Sequence, residues 1–278
     1  MTIDIRHDET RLSAEALIAR PHARIPDLGD VLPYLASPDS GRPLIVDPRT
    51  NRLSDGTHAY PQLGNLPVLL PARLAPHFDG RLRVPPHDVP DPLMQYFHLG
   101  TLRHGGEINA ASSNVHYQRH LHRLHAFVQR CHGVVVDVGC DDATVGASLF
   151  SADSFYIGID PFSHHPEPFR LVGVAEFLPI RPESVDVVLF NTTLDHILDW
   201  HRAIDEAVRV LAPGGQLVIA SLVWTSAADL LGDSVHFHHF RDYEILGALS
   251  QLAIEDVARY DYKGDRHRHG MYVRATKR

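Results

Sequence analysis

Residues 134–146 read Val-Val-Val-Asp-Val-Gly-Cys-Asp-Asp-Ala-Thr-Val-Gly, and no other stretch constrains this chain as tightly. A β-branched apolar run suits a strand buried on both faces of a parallel sheet. The acidic residue and the glycine that follow it let such a strand turn sharply and present its carboxyl end to a ligand. Asp137, Gly139 and Cys140 stand where a nucleoside cofactor would meet the sheet.

The chain of 278 residues allows one large domain or two unequal ones, with enough apolar content for a full core. The polar N-terminus, with Asp4, Arg6, His7 and Asp8, does not read as a signal peptide. No run of apolar residues is long enough for a membrane span. Cys131 and Cys140 are too few for a disulfide framework, and a reducing cytosol is the expected setting. A formal net charge of −8 argues against a chain that wraps nucleic acid. Histidine is abundant at 21 copies, and only spacing can turn that into chemistry. His116, His120, His122 and His125 include i, i+4 neighbours, and His236 and His238 alternate. No acidic partner spacing completes a ligand set, so no metal is expected.

Three regions follow from composition. Residues 1–92 form a Pro-rich accessory region, where long helices cannot persist. Short strands are expected at Leu44–Val46 and Pro67–Leu70, with turns at 47–51 and 54–56. Residues 93–132 read as a helical lid interrupted at Gly105-Gly106. Leu121, Leu124, His125 and Val128 share one face of its second part. Residues 133–278 alternate strand and helix. Strands are expected at 134–138, 154–159, 171–174, 185–190, 216–221, 253–262 and 270–276. Helices are expected from 144, over 198–210 and over 242–252. Short connections between such elements specify a doubly wound, mostly parallel α/β sheet of seven strands, the final hairpin supplying one antiparallel strand. Asp160, about 20 residues beyond the glycine turn, lies where a carboxylate meets a ribose diol in nucleoside-binding folds.

Residues 134–276 resemble the class I S-adenosylmethionine-dependent methyltransferases. The likeness is carried, in order, by Val-Asp-Val-Gly-Cys at 136–140, Gly-Ile-Asp at 158–160 and Ala-Glu-Phe-Leu-Pro-Ile at 175–180. It continues through Ser-Val-Asp-Val-Val at 184–188, Leu-Asp-His-Ile-Leu-Asp at 194–199 and Glu206 to Gly215. The Pro213-Gly214-Gly215 turn and the His/Phe element at 236–240 resemble the ubiquinone/menaquinone-type and natural-product group. Leu44–Leu70 is similar to small ribbon-like modules that accompany some methyltransferases, without the cysteines that hold zinc in some of them. An irregular arm packed on the main domain is the alternative.

The resemblance implies S-adenosyl-L-methionine as cofactor, a Rossmann-like fold and direct in-line methyl transfer to an O, N or C atom. It implies cofactor contacts from Asp137, Gly139, Cys140, Asp141, Asp160, Pro161, Ala175, Glu176 and Asn191. The Gly139 turn would offer backbone N–H groups to the methionine carboxylate. Asp137 would order that turn or accept from the ammonium, and Asp160 would accept from both ribose hydroxyls. Ala175 and Glu176 would follow the adenine edge, and Asn191 would face the acceptor. The chain departs from the family pattern at Asp141 and Ala143, where glycines are usual, and at Val174, where an acid is frequent. Cys140 reads as a packing residue rather than a nucleophile. His196, His238 and His239 are the candidate bases. A small-molecule acceptor is expected rather than nucleic acid or membrane, and a homodimer is left open. The alternatives are another enzyme that consumes the same cofactor (a cyclase, for instance), a non-catalytic partner subunit, and an RNA methyltransferase.

Overall fold

A computed structural model describes residues 19–20, 22–75, 115–161, 169–225, 236–262 and 264–278. The expected helix over 93–114, its Gly105-Gly106 break and the Pro-rich stretch from 76 to 92 lie outside them, as does the His116 side chain.

A seven-stranded sheet organises the chain. Its strands are β6 (Val134–Val138), β7 (Phe155–Asp160), β8 (Leu171–Val172), β9 (Val185–Asn191), β10 (Leu211–Trp224), β11 (Ala253–Asp261) and β12 (Arg268–Thr276). They lie in the order β11-β12-β10-β9-β6-β7-β8. All neighbours from β10 to β8 pair parallel, and β12 pairs antiparallel with both β10 and β11. The final hairpin thus inserts one reversed strand, as its short polar connection predicts. The strand order reverses direction around β6, and such a switch point opens a crevice at the carboxyl ends of neighbouring strands.

Alternation along the strands loads both faces. Val136, Val138, Ile157, Ile159, Val188 and Phe190 face one core, against helix α4 (Trp200–Val210). Val135, Val187, Leu189 and Val218 face the other, against helix α2 (Val115–Val128) and the short helix α3 (Ala143–Ala147). Helix α4 is amphipathic, burying Trp200, Ala203, Ile204, Ala207 and Val210. The Asp199 side chain caps its start by accepting from Arg202 N at 3.1 Å. Its Glu206 accepts from Leu178 N at 2.9 Å and pairs with Arg209, which donates to the carbonyls of Leu178 and Ile180. This clamp gives the Glu206–Arg209 signature a structural role, because it fixes the strand-to-turn segment at 175–180.

Several elements are shorter or longer than expected: the helix expected over 242–252 spans only Asp242–Ala248, and the strand expected over 171–174 only Leu171–Val172. Helix α3 ends at Ala147, although the pattern suggests continuation to Leu149. The expected turn at Pro213-Gly214-Gly215 lies inside β10. Leu211 pairs with Val185 and Gln216 with Val187, so residues 212–215 bulge while the strand keeps its partner.

The N-terminal region, which carries the short helix α1 (Leu28–Val31), is stitched to the sheet. The strands β1 (Ile45–Asp47), β2 (Arg52–Ser54) and β3 (Ala59–Tyr60) form an antiparallel sheet, followed by the hairpin of β4 (Gln62–Leu63) and β5 (Leu66–Pro67). Leu44, Leu53, Tyr60 and Leu69 join the core on the α4 side of the large sheet. Val68 bridges to Val172, and Arg24 bridges to Phe155. These contacts cover the outer edge of β7 and β8, which would otherwise expose unpaired backbone groups.

Candidate active site

The glycine turn joins β6 to α3 at the carboxyl edge. Gly139 has φ +78°, and a Cβ on it would lie 2.2 Å from Thr193 Cγ2, so no side chain fits there. Gly139 N donates to Ile159 O at 2.7 Å and Cys140 N to the same oxygen at 3.3 Å. Asp141 N donates to Asp160 Oδ2 at 3.0 Å, and the buried Arg170 guanidinium donates to Asp141 O. The turn is therefore strapped onto the end of β7. The resemblance implies that these N–H groups face a ligand carboxylate; in the structure they face their own sheet. Asp160 is buried at the strand end, followed by the half-buried Pro161.

Asp137 lies beneath the turn with 1% exposure. Its Oδ2 accepts from Tyr156 Oη at 2.5 Å, and its Oδ1 has no hydrogen-bond partner among the described residues. Burial pushes its carboxyl up to about 7; the Tyr156 bond opposes this shift and the Asp160 charge adds to it. Helix α3 presses its backbone onto the pair, since a Cβ on Gly146 would lie 2.0 Å from Tyr156 Oη. Cys140 is buried, and its sulfur packs against Gly158. Burial, then the Asp160 charge, pushes its thiol well up, so it stays protonated.

Ala175 is buried at the start of the 3-10 turn Ala175–Phe177 that follows β8. Glu176 turns its side chain toward the start of α4, where Oε1 accepts from Asp199 N at 3.4 Å. Its carbonyl accepts from Arg202 Nε at 2.7 Å. Burial pushes the Glu176 carboxyl up to about 7.

Beyond β9 the edge opens into a cavity of about 560 Å³, whose walls include His120, Arg123, Thr192, Asp195, His196, His236 and Tyr260. Asn191 links the turn to this cavity. Its Oδ1 accepts from His120 Nε2 at 2.7 Å, which leaves Nδ1 to accept from Tyr272 Oη at 3.0 Å and Tyr260 Oη at 3.2 Å. Burial pulls His120 down to about 4, so the ring is neutral. Thr192, at φ 53°, redirects the chain after Asn191 and brings Thr193 against Gly139. Positive φ at a β-branched residue is strained.

The three candidate bases part company. His196 lines the cavity beside Asp195. His238 donates through Nε2 to the carbonyls of Ile197 (2.8 Å) and Leu198 (3.2 Å) and stacks on Phe240. His239 packs its ring 4.5 Å from Trp224. Sequence reasoning singled out His120 and His236 only as members of histidine runs. Their partners lie far along the chain: Tyr272 is 152 residues from His120. The detectable signal was one buried-face position, since His120 precedes Leu121 and Leu124 on the helix side that meets the sheet.

The strand order, the crevice at the switch point and the neighbouring cavity define a Rossmann-like fold of the methyltransferase type. Residues 136–219 match the family model described as a methyltransferase domain. The chain is 33% identical over 106 residues to an uncharacterized methyltransferase of Mycobacterium tuberculosis, a match that spans 35% of this chain and 42% of that one. This chain thus covers less than half the length of the curated relatives it matches first. Among solved structures, it is similar to a SAM-dependent methyltransferase of Thermotoga maritima, with TM-score 0.53 and 20% identity over 66% of this chain and all of the other. It is also similar to the 1,6-didemethyltoxoflavin-N1-methyltransferase of Burkholderia thailandensis, with TM-score 0.51 and 17% identity over 69% and 93% of the two chains. These likenesses establish the fold. No helix among the described residues is long and apolar enough to cross a membrane.

Proposed function

We propose that this chain is an S-adenosylmethionine-dependent methyltransferase acting on a small molecule, with direct transfer to an O, N or C nucleophile. The observation that carries the reading is the continuity of crevice and cavity. Asn191–Thr193 touches the Gly139 turn through Thr193 Oγ1 (3.4 Å to Gly139 O) and reaches the 560 Å³ cavity through His120 and Thr192. A donor on one side and an acceptor on the other would meet across that segment.

The residues present fit the cofactor's chemistry. Asp137 Oδ1 is a buried acceptor without a partner among the described residues, which suits a ligand ammonium. The two oxygens of Asp160 match a vicinal diol. When bound, S-adenosylmethionine supplies an electrophilic methyl group on a sulfonium. The chain's part is to align the two partners and exclude water, which turns a bimolecular encounter into a held geometry. His120, neutral and bonded on both nitrogens, keeps Asn191 fixed at the rim. Where an acceptor must lose a proton, His196 is the candidate base placed on the cavity wall.

The strapped glycine turn favours a second reading, a non-catalytic partner subunit whose turn no longer receives a carboxylate. Calorimetry with S-adenosylhomocysteine separates the two. Binding at one equivalent, weakened at least about tenfold in Asp160→Ala by the loss of charged hydrogen bonds, supports the enzyme. No heat and no thermal shift at millimolar ligand supports the partner subunit. In turnover, release of S-adenosylhomocysteine rather than methylthioadenosine separates methyl transfer from other reactions of the same cofactor.

A further inference from the structure

Asp195, His196 and His236 bring three ligand atoms to one point of the cavity wall. His236 Nε2 lies 3.6 Å from Asp195 Oδ2, and His196 Nε2 lies 3.9 Å from Asp195 Oδ1. All three ligand atoms fall within 4.8 Å of one another. These separations are too wide for hydrogen bonds. They are close to those around a shared ion: metal–ligand bonds of about 2.1 Å at tetrahedral angles put neighbouring ligand atoms about 3.4 Å apart. Asp195 is 2% exposed, and its Oδ1 has no hydrogen-bond partner among the described residues. A buried carboxylate in that state needs a positive partner.

The site is built rather than accidental. Asp195 and His196 sit on one 3-10 turn, Leu194–His196. Asp195 O accepts from Phe237 N at 3.0 Å and His238 N at 3.2 Å, which ties the His236 segment to that turn. His238 adds its bond to Ile197 O, and the Trp224 ring meets His236 edge-on. These bonds hold the two imidazoles beside the carboxylate, with their ring centroids 4.9 Å apart.

We infer that Asp195, His196 and His236 form a binding site for one divalent transition-metal ion facing the acceptor cavity. Two imidazoles and one carboxylate suit zinc, iron, cobalt or manganese, and three protein ligands leave a position open to the cavity. The sequence predicts no metal because Asp195 and His236 are 41 residues apart and only the fold joins them. Resting on the methyl-transfer reading, the ion would take an acceptor oxygen (a phenol, enol or hydroxy acid) at its open position and lower that oxygen's pKa, so that its proton leaves to solvent water before transfer. His196 then acts as a ligand rather than as the base.

The test is metal uptake by the chelator-stripped full chain, with no methyl donor present. Its failure is therefore distinct from failure to bind S-adenosylhomocysteine. Co2+ is titrated and followed by visible absorption, with Zn2+ calorimetry alongside. The expected result is one saturable equivalent with a ligand-field band, weakened at least about a hundredfold in His236→Gln and in His196→Gln. His132→Gln, which changes an exposed histidine elsewhere, is expected to leave that equivalent intact. Asp195→Asn is expected to abolish it. Should Asp195→Asn fail to fold, the two histidine variants decide, since those side chains are partly exposed. No saturable equivalent, or equal uptake by wild type and both histidine variants, overturns the assignment.

Discussion

Replacing Asp137 by Asn should flatten a definable part of the protein's pH–stability curve. The carboxyl is held at about 7 by burial, against its ordinary 3.8. Between those values the folded chain keeps a proton that the unfolded chain has lost. The stability from this group is therefore complete below 3.8 and falls as pH rises through 7, by about 4 kcal/mol in all. His120 works in the opposite direction. Its folded value of about 4 lies below the ordinary 6.5, so its contribution is complete above 6.5 and is lost as pH falls toward 4. Glu176, raised from 4.5 to about 7, adds a second falling term. The wild-type curve mixes these effects, but the difference between wild type and Asp137→Asn cancels those that do not touch Asp137. Asn keeps an oxygen for Tyr156 Oη and cannot ionise. Urea unfolding at pH 5, 6, 7 and 8 is the assay. Relative to wild type, the variant should gain about 3 kcal/mol between pH 5 and pH 8, most of it by pH 7.5. A difference that stays flat over that range would mean that Asp137 is ionised throughout and that its burial is not what the geometry implies. The same group should make S-adenosylhomocysteine bind more tightly as pH rises toward 7, because an ammonium favours the ionised carboxylate.

Other outcomes follow from single contacts. Gly139→Ala combines positive φ with a 2.2 Å approach to Thr193, and should lower stability by about 1–3 kcal/mol in urea unfolding; an unchanged midpoint would contradict that packing. Asn191→Ala leaves the buried His120 Nε2–H without its acceptor and should cost about 1–3 kcal/mol, whereas Asn191→Asp should raise the pH at which His120 titrates, read by NMR of the imidazole. Asp160→Ala should weaken S-adenosylhomocysteine binding at least about tenfold while changing stability less than Gly139→Ala, because it removes the Asp141 N bond and creates no clash.

The sheet was legible because burial on both faces leaves a plain mark in sequence. Val134–Val138 and Val185–Phe190 are apolar enough that no other element suits them, and the short links between successive elements limit the topology. The caps at Asp142 and Asp199, which accept from Thr144 N and Arg202 N, are structural findings that the sequence reading did not single out. The site was only half legible, and the division follows range. Asp137, Gly139 and Asp160 belong to one strand–turn–strand unit, so a motif could place them at the edge. It could not say where the turn's N–H groups point, since that depends on Ile159 O in the neighbouring strand. The cavity was less legible still. Its polar wall joins a helix before the first strand of the sheet, the turn after β9, the segment after β10 and the last hairpin. No spacing rule connects Asp195 to His236 or His120 to Tyr272. A histidine-rich sequence therefore offers many candidate ligands and bases. Only those that topology brings to the carboxyl edge of β9 and β10 have neighbours that give them chemistry, while His238 is committed to the carbonyls that hold this edge together.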